Sequence, residues 1–176
     1  MSLIDAIRMI DQMQADGVID RYAIGGAVGA TFYDVEPAET IDVDVFFALE
    51  ANVEPGTFDT SILPIYSYLK GRGAEVDNEY LRVAGQLVQF LPPSGPLVEE
   101  AIREANRLPF GDVKVPVFSA EHLAAIALDL GRPKDRIRLA QFAAPGVLDS
   151  ARFLNILERH SLVEKWNEFR RAIGPR

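Results

Sequence analysis

The residues best suited to chemistry lie in one stretch, Thr40-Ile41-Asp42-Val43-Asp44-Val45-Phe46-Phe47. Its alternation predicts a strand over residues 40–49, the strongest in the chain. Residues two apart on a strand project from one face, so Asp42 and Asp44 point the same way, with Cβ atoms about 6–7 Å apart. Ile41, Val43 and Val45 take the other face and suit a core. Two adjacent carboxylates repel unless solvent or a cation relieves them. Hard divalent ions take oxygen ligands, and a carboxylate pair with substrate phosphates is a common Mg²⁺ set. A solvated acidic strand face would show the same pattern, so the pair needs support from its neighbours. An EF-hand-like calcium loop is disfavoured, because the intervening residues are apolar and no glycine follows.

That support lies upstream. Arg21–Ile24 predicts a short strand running into Gly25-Gly26, and the small residues Ala27, Val28, Gly29 and Ala30 can open a helix. Glycines there let a phosphate approach backbone N–H groups at a helix N-terminus. The plain alternative is a tight strand-to-helix turn. The order strand, Gly-Gly, helix, polar loop, then the D-x-D strand carries the information.

The remaining elements must position these residues. A helix is expected from Leu3, Ile7, Ile10 and Met13, ending near Gly17. Residues 61–70 read as a helix. Residues 80–83 and 87–91 bracket Ala84-Gly85-Gln86 as a hairpin. Residues 97–106 read as a short helix and 114–118 as an extended piece weakened by Pro116. Beyond that the pattern is all helix: 120–130 capped by Ser119, then 134–142, 149–159 and 162–173. The expected class is therefore α/β (α+β), a mixed sheet with flanking helices over residues 1–118 and a C-terminal helical bundle over 119–176.

Composition limits the function classes. The chain has 176 residues, 48% apolar and 25% charged, ordinary values for a soluble globular protein. No apolar run approaches the roughly 18 residues of a membrane span. The N-terminus lacks a basic n-region, so no secretory signal is expected, and the cytoplasm is the default compartment. The absence of cysteine excludes disulfides, thiolate zinc sites and cysteine nucleophiles, and two histidines exclude a histidine-rich metal site. The net charge of −8 is uneven, −11 over residues 1–118 and +3 over 119–176. An acidic front half argues against general nucleic-acid coating. Arg132, Lys134, Arg136 and Arg138 form a basic run around a turn, either a solvated face or a contact for triphosphate or polynucleotide. His122 reads as a first-turn helix residue rather than a catalyst, and His160 and Trp166 as packing or capping residues.

Ile24-Gly25-Gly26 followed by Thr40-Ile41-Asp42-Val43-Asp44 resembles the nucleotidyltransferase superfamily, in particular its small bacterial minimal and abortive-infection-toxin types. Leu87-Val88-Gln89-Phe90-Leu91-Pro92, Gly131-Arg132-Pro133-Lys134-Asp135 and Leu157-Glu158-Arg159-His160 have the look of the family's later segments. The resemblance implies an Mg²⁺ (or Mn²⁺) ion on Asp42 and Asp44, and an NTP cradled by Gly25 and Gly26 with help from Thr40. It further implies transfer of the NMP to a hydroxyl of a protein, RNA or small molecule. Two departures stand out. Gln89 occupies the place of the family's third carboxylate. The helix after His122 lacks a phosphate-directed lysine, which leaves Arg132 and Lys134 as the candidates to supply positive charge. The resemblance thus allows a second reading, an inactive binding module with a protein partner, as in a toxin–antitoxin pair.

Overall fold

The computed structural model describes residues 2–35, 42–49 and 58–174. The elements are α1 (Leu3–Ala15), β1 (Arg21–Ile24), α2 (Gly26–Thr31), β2 (Asp42–Ala48), α3 (Phe58–Lys70), β3 (Glu75–Asp77), β4 (Tyr80–Val83) and β5 (Gln86–Leu91). They continue as α4 (Pro96–Arg103), β6 (Asn106–Phe110), β7 (Val113–Val117), α5 (Ala120–Leu130), α6 (Pro133–Phe142), α7 (Ser150–Arg159) and α8 (Val163–Ile173). Seven strands form one mixed sheet in the order β3-β4-β5-β2-β1-β7-β6, with the D-x-D strand at its centre. Among the described residues no strand follows β7, and no helix is long and apolar enough to cross a membrane.

The alternation in β2 divides the molecule into two packed layers. Val43, Val45 and Phe47 face a core built with Ala6, Ile7, Ile10 and Met13 of α1 and Ile65 and Leu69 of α3. Phe46 and Ala48 face the opposite core, filled by α4, α5, α7 and α8. Full burial of a Leu or Phe side chain contributes roughly 1.5–3 kcal/mol, so both sheet faces are strongly committed and register is fixed. Asp42 and Asp44 share the second face with Phe46, on the side of the C-terminal helices.

Helix α5 is apolar nearly all round, as a helix enclosed on every side must be. Ser119 caps its start by accepting the His122 N–H, and Gly131 ends it at φ +63°, in the left-handed region.

Three expectations need correction. The helix expected over residues 97–106 ends at Arg103: a strand, β6, begins at Asn106 and turns through Gly111 into β7. Pro109 sits in the outermost strand, where the missing N–H is tolerated. The extended piece at Pro116 is a full internal strand. It pairs along its length with β6, Pro116 opposite Arg107, and bridges β1 only at Ile24–Val117. Finally, β3 extends the hairpin to three strands, unseen in the sequence because it is three residues long and mostly exposed.

Candidate active site

Backbone pairing assembles the site as a row across four strands. Asp44 stands beside Gln89 in the parallel pairing of β2 with β5. Continuing the β4–β5 register places Tyr80 beside Gln89. On the other flank Gly25 donates its N–H to the Asp44 carbonyl at 3.0 Å. On β5, Val88 and Phe90 are buried, which leaves Gln89 on the opposite face, toward the carboxylates.

The turn into α2 requires glycine twice. Gly26 has φ +58°, and a methyl group on it would overlap Asp44 Oδ2, so the carboxylate lies directly against its Cα. A Cβ on Gly25 would run into the rings of Phe46 and Phe118, which pack 4.9 Å apart. The Gly-Gly pair thus admits an acidic oxygen on one side and two phenyl rings on the other.

A cleft of about 1250 Å³ opens over this row. Its walls include Gly26, Asp42, Asp44, Gln89, Arg132 and Lys134, six of the positions singled out from sequence. Gly25 adjoins through its bond to Asp44, and Thr40 lies outside the described residues. Tyr80, Phe46, Phe118, Arg138, Arg159 and His160 also line the cleft and were not assigned to it from sequence. Arg138 had a signal: it follows Lys134 by one helical turn, so both fall on one face of α6. Tyr80 had none, because its place follows only from the register of the hairpin.

Electrostatics single out Asp44. Burial first, and the Asp42 charge second, push its carboxyl up to about 6, against the pull of Lys134, Arg138 and Arg132. The Asp42 charge also raises the Tyr80 phenol above its ordinary value. Two carboxylates on one face, one of them held in discomfort by the other, form a donor set of hard oxygens that suits a divalent cation. Across the cleft, Arg132 is bound by Asp135, with Nε 2.5 Å from Oδ2 and a terminal nitrogen 3.2 Å from Oδ1.

A second polar cluster borders the cleft. Glu100 is buried and accepts from His122 Nε2 at 3.0 Å, His160 Nε2 at 2.8 Å and Arg159 at 2.6 Å. Ser119 Oγ accepts the His122 N–H at 3.1 Å and lies 2.7 Å from His122 Nδ1, so its hydroxyl is placed to donate there. That leaves the Nε2 proton for Glu100. Burial would raise the Glu100 carboxyl, but the bonds from Arg159, His122 and His160 outweigh it and hold the group at about 2. His122 is held below its ordinary value by burial. Glu100, Glu104 and His122 offer ligand atoms within 4.8 Å of one another. A cation there would have to displace Arg159 and the His122 proton, and Arg152 stands 3.7 Å from Glu104. The cluster is a hydrogen-bonded hub joining α4, α5 and α7.

With a central D-x-D strand beside a Gly-Gly turn, and only helices after β7 among the described residues, the chain has a nucleotidyltransferase-like fold. It is similar over 96% of its length to the crystal structure of an antigenic nucleotidyltransferase-like protein from Paracoccidioides brasiliensis, with 91% of that chain covered, 19% identity and a TM-score of 0.50. Two structures of ANT(2'')-Ia are also similar. The solution structure of this antibiotic-resistance factor matches at 15% identity and a TM-score of 0.46, covering 94% of this chain and 96% of that one. The crystal structure in complex with adenylyl-2''-tobramycin matches at 14% and 0.47, covering 90% and 96%. No protein-family model and no curated protein sequence matches the chain.

Proposed function

We propose that the protein is a metal-dependent nucleotidyltransferase that moves an NMP from an NTP onto a hydroxyl acceptor. The observation that carries this is the contact of the Asp44 carboxylate with the Gly26 backbone, beside Asp42, in a cleft with cations on its far wall. Asp42 and Asp44 would hold Mg²⁺ or Mn²⁺, which when bound supplies charge neutralisation for the phosphates and the leaving pyrophosphate. Gly25 and Gly26 permit close approach of phosphate to the backbone at the start of α2. Lys134 balances the triphosphate charge, and Phe46 and Phe118 exclude water beside it. Thr40 joins this set as a hydroxyl donor. The acceptor hydroxyl attacks the α-phosphorus, the bond to pyrophosphate breaks as the new ester bond forms, and the hydroxyl proton passes to water in the cleft.

One observation favours a second reading. Gln89 stands beside Asp44, where a third acid would take the acceptor's proton, and an amide cannot do so at neutral pH. Without that base the same cleft would bind a nucleotide and present it, or itself, to a partner protein. Calorimetric titration with Mg²⁺ and each NTP, followed by a radiolabel transfer assay, separates the two. Binding with transfer supports the enzyme. Binding without transfer to protein, RNA or small-molecule acceptors supports the module, and no NTP binding by the wild type overturns both.

A further inference from the structure

The basic residues of α6 are unequal. Asp135 is almost wholly buried, with 1% of its side chain exposed, and it is the counter-ion of the group. Arg132 meets it through two N–H donors on one edge of its guanidinium and through its own backbone N–H at 3.3 Å, while its side chain remains half exposed. Arg138 has the opposite balance. Its side chain is only 12% exposed, its nearest carboxylate contact is 3.8 Å from Asp135, and it makes no hydrogen bond to any described residue. Its charge faces Asp44 as well as Asp135. None of its nitrogens is a buried atom left without a partner, so its N–H groups keep access to the water of the cleft and can exchange that water for a ligand's oxygens. Arg138 is thus a planar, under-occupied fork on the wall of the cleft.

We infer that Arg138, and not Arg132, is the side chain of α6 that grips a phosphate group of the ligand through paired N–H donors. The inference rests on the nucleotide reading of the cleft and assigns it a specific anchor. A guanidinium fork matches two oxygens of one phosphate, a geometry that a lysine ammonium cannot reproduce. Arg132 is spent on Asp135, which leaves Arg138 as the guanidinium of α6 whose donors can turn to a ligand. The ligand class is a polyphosphate, recognised at its phosphates rather than at its base.

The test uses inorganic tripolyphosphate, which carries no base, titrated into the full chain with and without Mg²⁺. The variants are Arg138→Gln, Arg138→Lys and Arg132→Gln, each checked for folding by circular dichroism. Arg138→Gln is expected to bind about 10–100-fold more weakly, the loss of two charge-assisted hydrogen bonds. Arg132→Gln should stay within about 3-fold, the usual scale for an exposed charge. Should Arg138→Gln not fold, Arg138→Lys decides: a loss of about 5-fold or more supports the fork, and unchanged binding overturns it. An Arg132→Gln loss equal to or larger than that of Arg138 variants overturns this inference alone. A wild type that binds neither tripolyphosphate nor any NTP overturns the nucleotide reading together with it.

Discussion

Asp44→Asn should make the metal-free protein more stable at neutral pH. The folded protein holds the Asp44 carboxyl at about 6, against an ordinary 3.8. Between those values the folded chain binds more protons than the unfolded one, so stability falls as pH rises through that window and stays low above it. At 1.36 kcal/mol per pKa unit, the elevation corresponds to about 3 kcal/mol of lost stability above pH 6. Asparagine keeps the shape without the charge and escapes this loss. In a chain of this size the gain amounts to about 6–12 °C in Tm. Thermal unfolding followed by circular dichroism in chelator-treated buffer from pH 4 to 8 measures it. The two curves should meet near pH 4 and separate by pH 7. A variant no more stable than wild type at pH 7.5, or a difference that does not vary with pH, would refute the reasoning. Saturating Mg²⁺ should narrow the gap by stabilising wild type alone.

Three further outcomes follow from the same geometry. Gly26→Ala forces a side chain onto φ +58° and into Asp44, so it should lower stability by at least about 1–2 kcal/mol and remove Mg²⁺ binding in calorimetry; wild-type binding by this variant would show the close approach to be incidental. Gln89→Asp and Gln89→Glu add the missing negative charge beside Asp44 and should tighten Mg²⁺ binding and raise any NMP transfer, while Asp42→Asn abolishes both; metal titration of all three at one pH and ionic strength is the check. Glu100→Gln breaks a buried charged hub and should destabilise by roughly 3 kcal/mol at pH 7 in urea unfolding. Because the Glu100 carboxyl is held below its ordinary 4.5, its contribution is complete above that pH and fades as pH falls toward about 2, so wild type and variant should converge in acid.

The central strand and the Gly-Gly turn were legible because their signals are local. Alternation in β2 and paired glycines after β1 depend only on near neighbours in sequence. The strand containing Gln89 was legible, and its register beside Asp44 followed from the family resemblance. β6 was not, since Asn106, Pro109 and a neighbouring helix spoke against a strand that only pairing with β7 stabilises. Arg138 was visible merely as one charge in a run. Its separation from Arg132 depends on which of them Asp135 selects, and that is a matter of three-dimensional packing. The hub at Glu100 escaped notice for the same reason: its partners come from three helices.

The parallel pairing of β2 with β5 has a kinetic consequence. Asp44 and Gln89 become neighbours only after α3, β3 and β4 have been looped out and returned, so their contact closes a long stretch of chain. Such contacts form slowly, because loop-closure entropy is lost before the pairing is gained. The hairpin β4–β5 and the α7–α8 corner are short-range and can form early. The carboxylate row therefore follows those short-range pieces, and a nascent chain has no such row until β5 has been made and brought back beside β2.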